Sequence, residues 1–120
     1  MVKTKHLYDP VEELDGDRIL VTRYWPRGVS RERLSITDWL WNLAPSDELV
    51  RGWKKQRISW EEYMLRYHEE MRGQLEAIRD LAKRAKRGTI TLLCYEYEDN
   101  PCCHRHLLKR LIENEERNVE

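Results

Sequence analysis

The run Thr89-Ile90-Thr91-Leu92-Leu93-Cys94-Tyr95 constrains the fold most, because β-branched and apolar residues occupy both of its alternating faces. A strand of this kind is covered on both sides, which makes it the central strand of a layered sheet. After a short polar stretch that includes Glu96 come Asn100-Pro101 and then Cys102, Cys103, His104 and Arg105. Asn caps a helix by accepting a backbone N–H bond, and Pro at the first helical position loses a donor that is unpaired there anyway. The pair therefore predicts a helix whose first turn holds Cys102, Cys103 and His104. Leu107, Leu108, Leu111 and Ile112 recur at helical spacing as its core face, with Arg105, Lys109, Arg110 and Glu113 left in water. In open α/β sheets, ligands bind outside the carboxyl ends of the strands, where helix N-termini offer free N–H groups.

The rest of the chain supplies partners for that strand. Residues 2–8 read as one strand and Arg18 to Tyr24 as another, joined through Pro10 and an Asp15-Gly16-Asp17 turn. The linker of about ten residues is short for a helical crossover; a parallel pair with a degenerate crossover is preferred over a hairpin. Trp25-Pro26-Arg27-Gly28 ends the second strand sharply, since Pro forces its predecessor extended and Gly permits a positive φ. Short or irregular pieces follow to Leu43, and Pro45-Ser46 introduces a short helix through Trp53. Ser59-Trp60-Glu61-Glu62 is a capping box. It opens a long amphipathic stretch to Gly88, where glycine is expected as a left-handed stop, with a kink or break near Gly73. The aromatics at 60, 63 and 67 lie on its apolar stripe and read as core. The expected architecture is a single three-layer α/β domain over residues 1–120, with a small, mainly parallel sheet of three or four strands flanked by helices.

With Lys+Arg and Asp+Glu both at 22, net charge gives no general attraction to nucleic acid or anionic lipid, so any anion site must be local. No apolar run approaches the roughly 18 residues that span a bilayer, and the first residues lack a signal-peptide core. These features lead to the expectation of a cytoplasmic protein without a membrane partner. The cysteine count is three, and Cys102 and Cys103 are adjacent, which is poor geometry for bridging each other.

Two motifs, Arg23-Tyr24-Trp25-Pro26-Arg27-Gly28 and Cys94-Tyr95-Glu96 with Pro101-Cys102-Cys103-His104-Arg105, resemble those of the YeaO-like proteins of the DUF488 domain-of-unknown-function family. The resemblance extends to Tyr8-Asp9-Pro10, Leu43-Ala44-Pro45-Ser46 and the helix bearing Trp60, Tyr63 and Tyr67. Tyr24, where Leu is more usual, and Cys102, an extra cysteine beside the motif one, depart from it. The resemblance implies a small α/β fold and no established reaction.

If the second and third long strands lie side by side and parallel, Arg23, Trp25, Arg27 and Gly28 meet Glu96 and the last helix at one sheet edge. Arg23, Arg27 and Arg105 suit bidentate binding of phosphate or carboxylate, Glu96 suits a general base, and His104 titrates near neutrality. Cys103 is a candidate nucleophile, since a thiol at a helix start beside Arg105 has its thiolate favoured. A cysteine phosphatase is disfavoured, because the residue six positions after Cys103 is Lys109 rather than Arg. Cys94 reads as an apolar filler. Zinc at Cys102, Cys103, His104 and His106 is disfavoured because adjacent helical ligands diverge and no distant Cys pair completes a tetrahedron; no metal or cofactor is expected. The leading expectation is a small enzyme or ligand-binding protein for an anionic, possibly nucleotide-like compound. Nucleic-acid binding through Arg18, Arg23, Arg27, Arg31 and Arg33 with interleaved Tyr24 and Trp25 is the alternative.

Overall fold

The computed structural model describes residues 1–95 and 102–119. Strands β1 (Val2–His6), β2 (Asp17–Leu20), β3 (Asp38–Trp39) and β4 (Ile90–Cys94) form one sheet in the order β1-β4-β2-β3, each neighbouring pair parallel. β4 is central and all five of its residues are buried, as a strand apolar on both faces requires. Its register sets Val2 opposite Ile90 and His6 opposite Cys94 on one side, and Leu20 opposite Leu93 on the other. β1 and β2 are parallel, as preferred from the sequence, but they are not neighbours. β4 lies between them, because the strand with two apolar faces buries most at the centre.

The period of two divides the sheet between two cores. Val2, Ile19, Ile90 and Leu92 face the larger one, built with Tyr63, Tyr67 and Met71 of α3 (Trp60–Met71), Ile78, Leu81 and Ala85 of α4 (Leu75–Arg87) and Leu107, Leu108 and Ile112 of α5 (His104–Glu116). Leu20 and Leu93 face the smaller one, closed by Leu34 of α1 (Arg31–Leu34) with Trp25 and Trp39 packed against it. Each fully buried Leu or Ile contributes about 1.5–3 kcal/mol relative to exposure, so β4 anchors both layers.

Local signals explain the helix ends. Ser59 Oγ accepts the Glu62 N–H at 3.1 Å, while the Glu62 carboxylate pairs with Arg66 four residues on. The long stretch breaks at Gly73, where a 3-10 turn over Arg72–Gln74 separates α3 from α4. Gly88 does end α4, but its φ of −168° is extended rather than left-handed. Ser46 caps α2 (Asp47–Lys54), accepting the Leu49 N–H at 3.2 Å, and its own N–H and hydroxyl both reach the Glu70 carboxylate. That link fixes α2 against α3. No helix among the described residues is long and apolar enough to cross a membrane.

At the amino ends of the strands Asp15 is fully buried, with Lys5 Nζ at 3.1 Å and Arg18 Nη1 at 2.5 Å. Arg18 also donates to the Leu34 carbonyl at 3.1 Å and is itself 3% exposed. It is therefore not part of a basic surface, and the arginine stripe considered for nucleic acid is divided between core and solvent.

Candidate functional site

The carboxyl ends of β2 and β4 open into a cleft of about 490 Å³. One wall is the chain leaving β2, with Thr22, Arg23 and Tyr24. The facing wall is α2 with Asp47, Arg51 and Lys54, and Trp53 and Tyr63 supply apolar surface between them. Cys94, Cys103 and His104 also line it and are buried. The expected pairing of β2 with β4 is what brings these segments together.

Cys103 is the N-cap of α5, with φ −130° and ψ 139°, so the helix begins at His104. This corrects the expected first turn of Cys102, Cys103 and His104; the Asn100-Pro101 pair on which it rested lies outside the described residues. The extended backbone at Cys103 directs its Sγ to 3.5 Å from Cys94 Sγ. His104 follows, and its Nδ1 is 3.9 Å from Cys103 Sγ. Its Nε2 lies 2.7 Å from the Val21 carbonyl oxygen. A carbonyl only accepts, so Nε2 carries the proton and Nδ1 presents a lone pair to the thiols. The sulfurs and an imidazole nitrogen all lie within 4.8 Å of one another.

The thiol of Cys103 is pushed well above its ordinary range, first by its hydrogen bond with Cys94, then by burial and by the charge that Cys94 would carry; Arg105 pulls the other way and is outweighed. The thiolate expected from the helix start and Arg105 is thus disfavoured, and Cys103 rests as a thiol. Tyr67 packs behind His104 with ring centroids 5.9 Å apart and donates to the Leu43 carbonyl at 2.8 Å. Burial raises its phenol well above the usual value, so it stays neutral. Tyr67→Phe is expected to cost about 1 kcal/mol by leaving that buried carbonyl unanswered, seen as a small fall in Tm.

At the mouth, Tyr24 Oη donates to Asp47 Oδ2 at 2.6 Å, and Tyr95 Oη reaches the Tyr24 carbonyl at 3.4 Å. The hydrogen bond to Asp47 raises the Tyr24 phenol. Arg23 lines the cleft, but its Nε and Nη2 donate to the carbonyls of Pro45 and Ala44 at 3.0 and 3.2 Å. Arg51 and Lys54 are exposed on the rim with no hydrogen-bond or ion-pair partner among the described residues.

The other expected site residues lie elsewhere. Trp25 donates to the Val29 carbonyl at 2.7 Å and meets Trp39 edge-on at 5.4 Å, so it builds the smaller core. Arg27 and Gly28 are exposed and are not among the cleft-lining residues. Arg105, expected in water, is fully buried and donates to the Lys5 carbonyl at 3.0 Å, tying α5 to the end of β1. A buried arginine is tolerable here because strand-end carbonyls accept from it. Glu96 lies outside the described residues.

The family described as the active DUF488-N3 subclade, DUF488-N3a, matches residues 2–116. The chain belongs to the YeaO-like DUF488 family. It is 34% identical over 92 residues to the uncharacterized protein YeaO of Escherichia coli (strain K12), covering 77% of this chain and 80% of YeaO. It is 31% identical over 90 residues to the uncharacterized protein Rv3073c of Mycobacterium tuberculosis (strain ATCC 25618 / H37Rv), covering 75% of each. No solved structure matches it significantly. For this DUF488 member, the Cys-His motif and the strand ending in Cys94 thus meet in one cleft, whereas Trp25, Arg27 and Gly28 of the second motif shape the neighbouring turn and smaller core.

Sequence reasoning passed over Cys94, Arg51 and Lys54. For Cys94 a signal existed, since a thiol as last residue of the central strand must lie at the sheet's carboxyl edge. The short amphipathic α2 gave no sign of which edge it would flank.

Proposed function

We propose that this protein binds a small anionic compound carrying a flat or apolar moiety, nucleotide-like in character, in the cleft at the carboxyl ends of β2 and β4, and acts on it there. One observation carries the reading: the exposed side chains of Arg51 and Lys54, which make no hydrogen bond or ion pair with the described residues, stand over a cleft walled by Trp53 and Tyr63 and floored by Cys94, Cys103 and His104. Arginine and lysine suit phosphate or carboxylate, and concave sites with apolar walls and few convergent polar groups are the usual form of ligand pockets. His104, with a bare Nδ1, is the group able to take a proton from a thiol or a ligand. The description of the matching family as active supports a working chemical site.

Thermal melting in increasing phosphate and in a mononucleotide tests this. A ligand at 100 times its Kd adds about 2.7 kcal/mol of stability, so the wild type is expected to gain several degrees in Tm. Arg51→Ala combined with Lys54→Ala should abolish most of that gain without lowering the ligand-free Tm, since both side chains are solvated. Arg27→Ala, off the cleft, should respond as the wild type does. An equal gain in the double variant would remove the rim cations from the site. A steep, salt-sensitive affinity for oligonucleotides instead would transfer the reading to nucleic acid.

A further inference from the structure

We propose that Cys94, Cys103 and His104 form a binding site for one zinc-class divalent cation, with two thiolates and one imidazole as ligands and the fourth position open to the cleft. Tetrahedral zinc with Zn–S of about 2.3 Å and Zn–N of about 2.0 Å sets its ligand atoms roughly 3.5–3.8 Å apart. The sulfurs here are 3.5 Å apart, Cys103 Sγ and His104 Nδ1 are 3.9 Å apart, and all three donors fall within 4.8 Å. The two spacings at Cys103 match within a few tenths of an ångström, and an entering cation draws Cys94 Sγ and the imidazole nitrogen, which lie within 4.8 Å of each other, together by up to about 1 Å.

The surroundings suit the role. The Val21 carbonyl accepts from His104 Nε2, which fixes the ring and leaves Nδ1 as the donor, the outer-shell arrangement of metal-bound histidines. Cys94 comes from the end of β4, and Cys103 is an extended N-cap rather than a helical residue, so the objection that adjacent helical ligands diverge does not apply to Cys103 and His104. On binding, the two thiols release one proton each to solvent and His104 releases none, so the buried group of one dication and two thiolates is neutral. Neutrality matters because an uncompensated buried charge is costly. All three ligands border the cleft, so water or a ligand atom can complete the tetrahedron, as in catalytic rather than closed structural zinc sites. The site stands on these three residues alone and does not depend on the anionic ligand.

The test is a titration of the reduced, chelator-treated full chain with Co²⁺ alone, without phosphate or nucleotide. Saturation at one Co²⁺ per chain, thiolate-to-cobalt charge-transfer absorption and intense tetrahedral d–d bands that Zn²⁺ abolishes are expected. Cys94→Ser, Cys103→Ser and His104→Ala should each weaken binding by more than the roughly 10–100-fold typical of losing an outer-shell partner. Cys102→Ser should retain both stoichiometry and spectrum. Should the variants fail to fold, the wild type still decides: Zn²⁺ should protect Cys94 and Cys103 from alkylation, read site by site by mass spectrometry. A wild type without charge-transfer absorption, or thiols that alkylate equally with and without Zn²⁺, overturns the site. The phosphate response is read separately, so either reading can fail alone.

Discussion

Replacing Asp15 by Ala is expected to cost about 3–5 kcal/mol, because it strips the anion from a buried cluster and leaves cations behind. Asp15 is fully buried, Arg18 lies against it at 2.5 Å with its own side chain 4% exposed, and Lys5 reaches it at 3.1 Å. Arg18 cannot swing into water without uncovering Leu34 and the start of β2. The expected readout is a Tm lower by about 10 °C or more for a domain of this size. Asp15→Asn keeps the shape but not the charge, and should recover only part of the loss. A fall under about 1 kcal/mol, the usual scale of surface pairs, would show that the cluster is solvated.

The same cluster fixes the acid limb of stability. Burial alone pushes the Asp15 carboxyl up, but the Glu12 backbone N–H and then Lys5 and Arg18 outweigh it and leave it below its usual 3.8. A depressed carboxyl stabilises fully above the ordinary value, and the contribution is lost as pH falls through the lower native value. Lys5 mirrors it: burial pulls it down, the bonds to Glu12 and Asp15 outweigh that, and it ends above 10.5, so its share holds below that value and is lost as pH rises through the native one. Melting curves from pH 5 down to 2 should therefore fall more steeply for the wild type than for Asp15→Asn, which has already lost the titrating group.

Much of the sheet was legible because it depends on periodicity. A strand apolar on both faces can only be central, and Ser59, Gly73 and Ser46 mark helix boundaries through local bonds or the lack of a side chain. The order of β1 was not legible, since a linker of ten residues permits either a neighbour or a jump across β4. The cleft was partly legible: Cys103 and His104 were singled out because reactive types crowd one helix start. Cys94 was passed over because a thiol in an apolar strand resembles any small core residue, and only the extended N-cap conformation at Cys103 brings the two sulfurs together. Arg27 and Arg105 show the opposite difficulty. An arginine in a sequence carries no record of whether its fork meets solvent, a ligand or the carbonyls of a strand end.

Gly16→Ala should be the most damaging single methyl in the protein, and the damage should stay at the amino ends of the strands. Gly16 has φ +63° and ψ −136°, a region that costs a side chain of order 1–3 kcal/mol by itself. A Cβ there would stand 2.0 Å from the Thr89 carbonyl oxygen. That oxygen cannot retreat freely, because it accepts the Asp17 N–H at 3.0 Å as the β2–β4 ladder opens, and Thr91 Oγ1 holds the neighbouring Asp15 carbonyl at 2.7 Å. Gly28→Ala separates the two causes: its φ is +71°, yet an added Cβ meets nothing within 4 Å, so it bears the backbone cost alone. Denaturant unfolding should place Gly16→Ala below Gly28→Ala by more than the backbone cost, and equal losses would mean that the close approach to Thr89 is relieved at little expense. Since the cleft lies at the other ends of the same strands, Gly16→Ala studied well below its Tm should still bind Co²⁺ and respond to phosphate as the wild type does, which divides a sheet end that sets stability from the one at which binding is proposed.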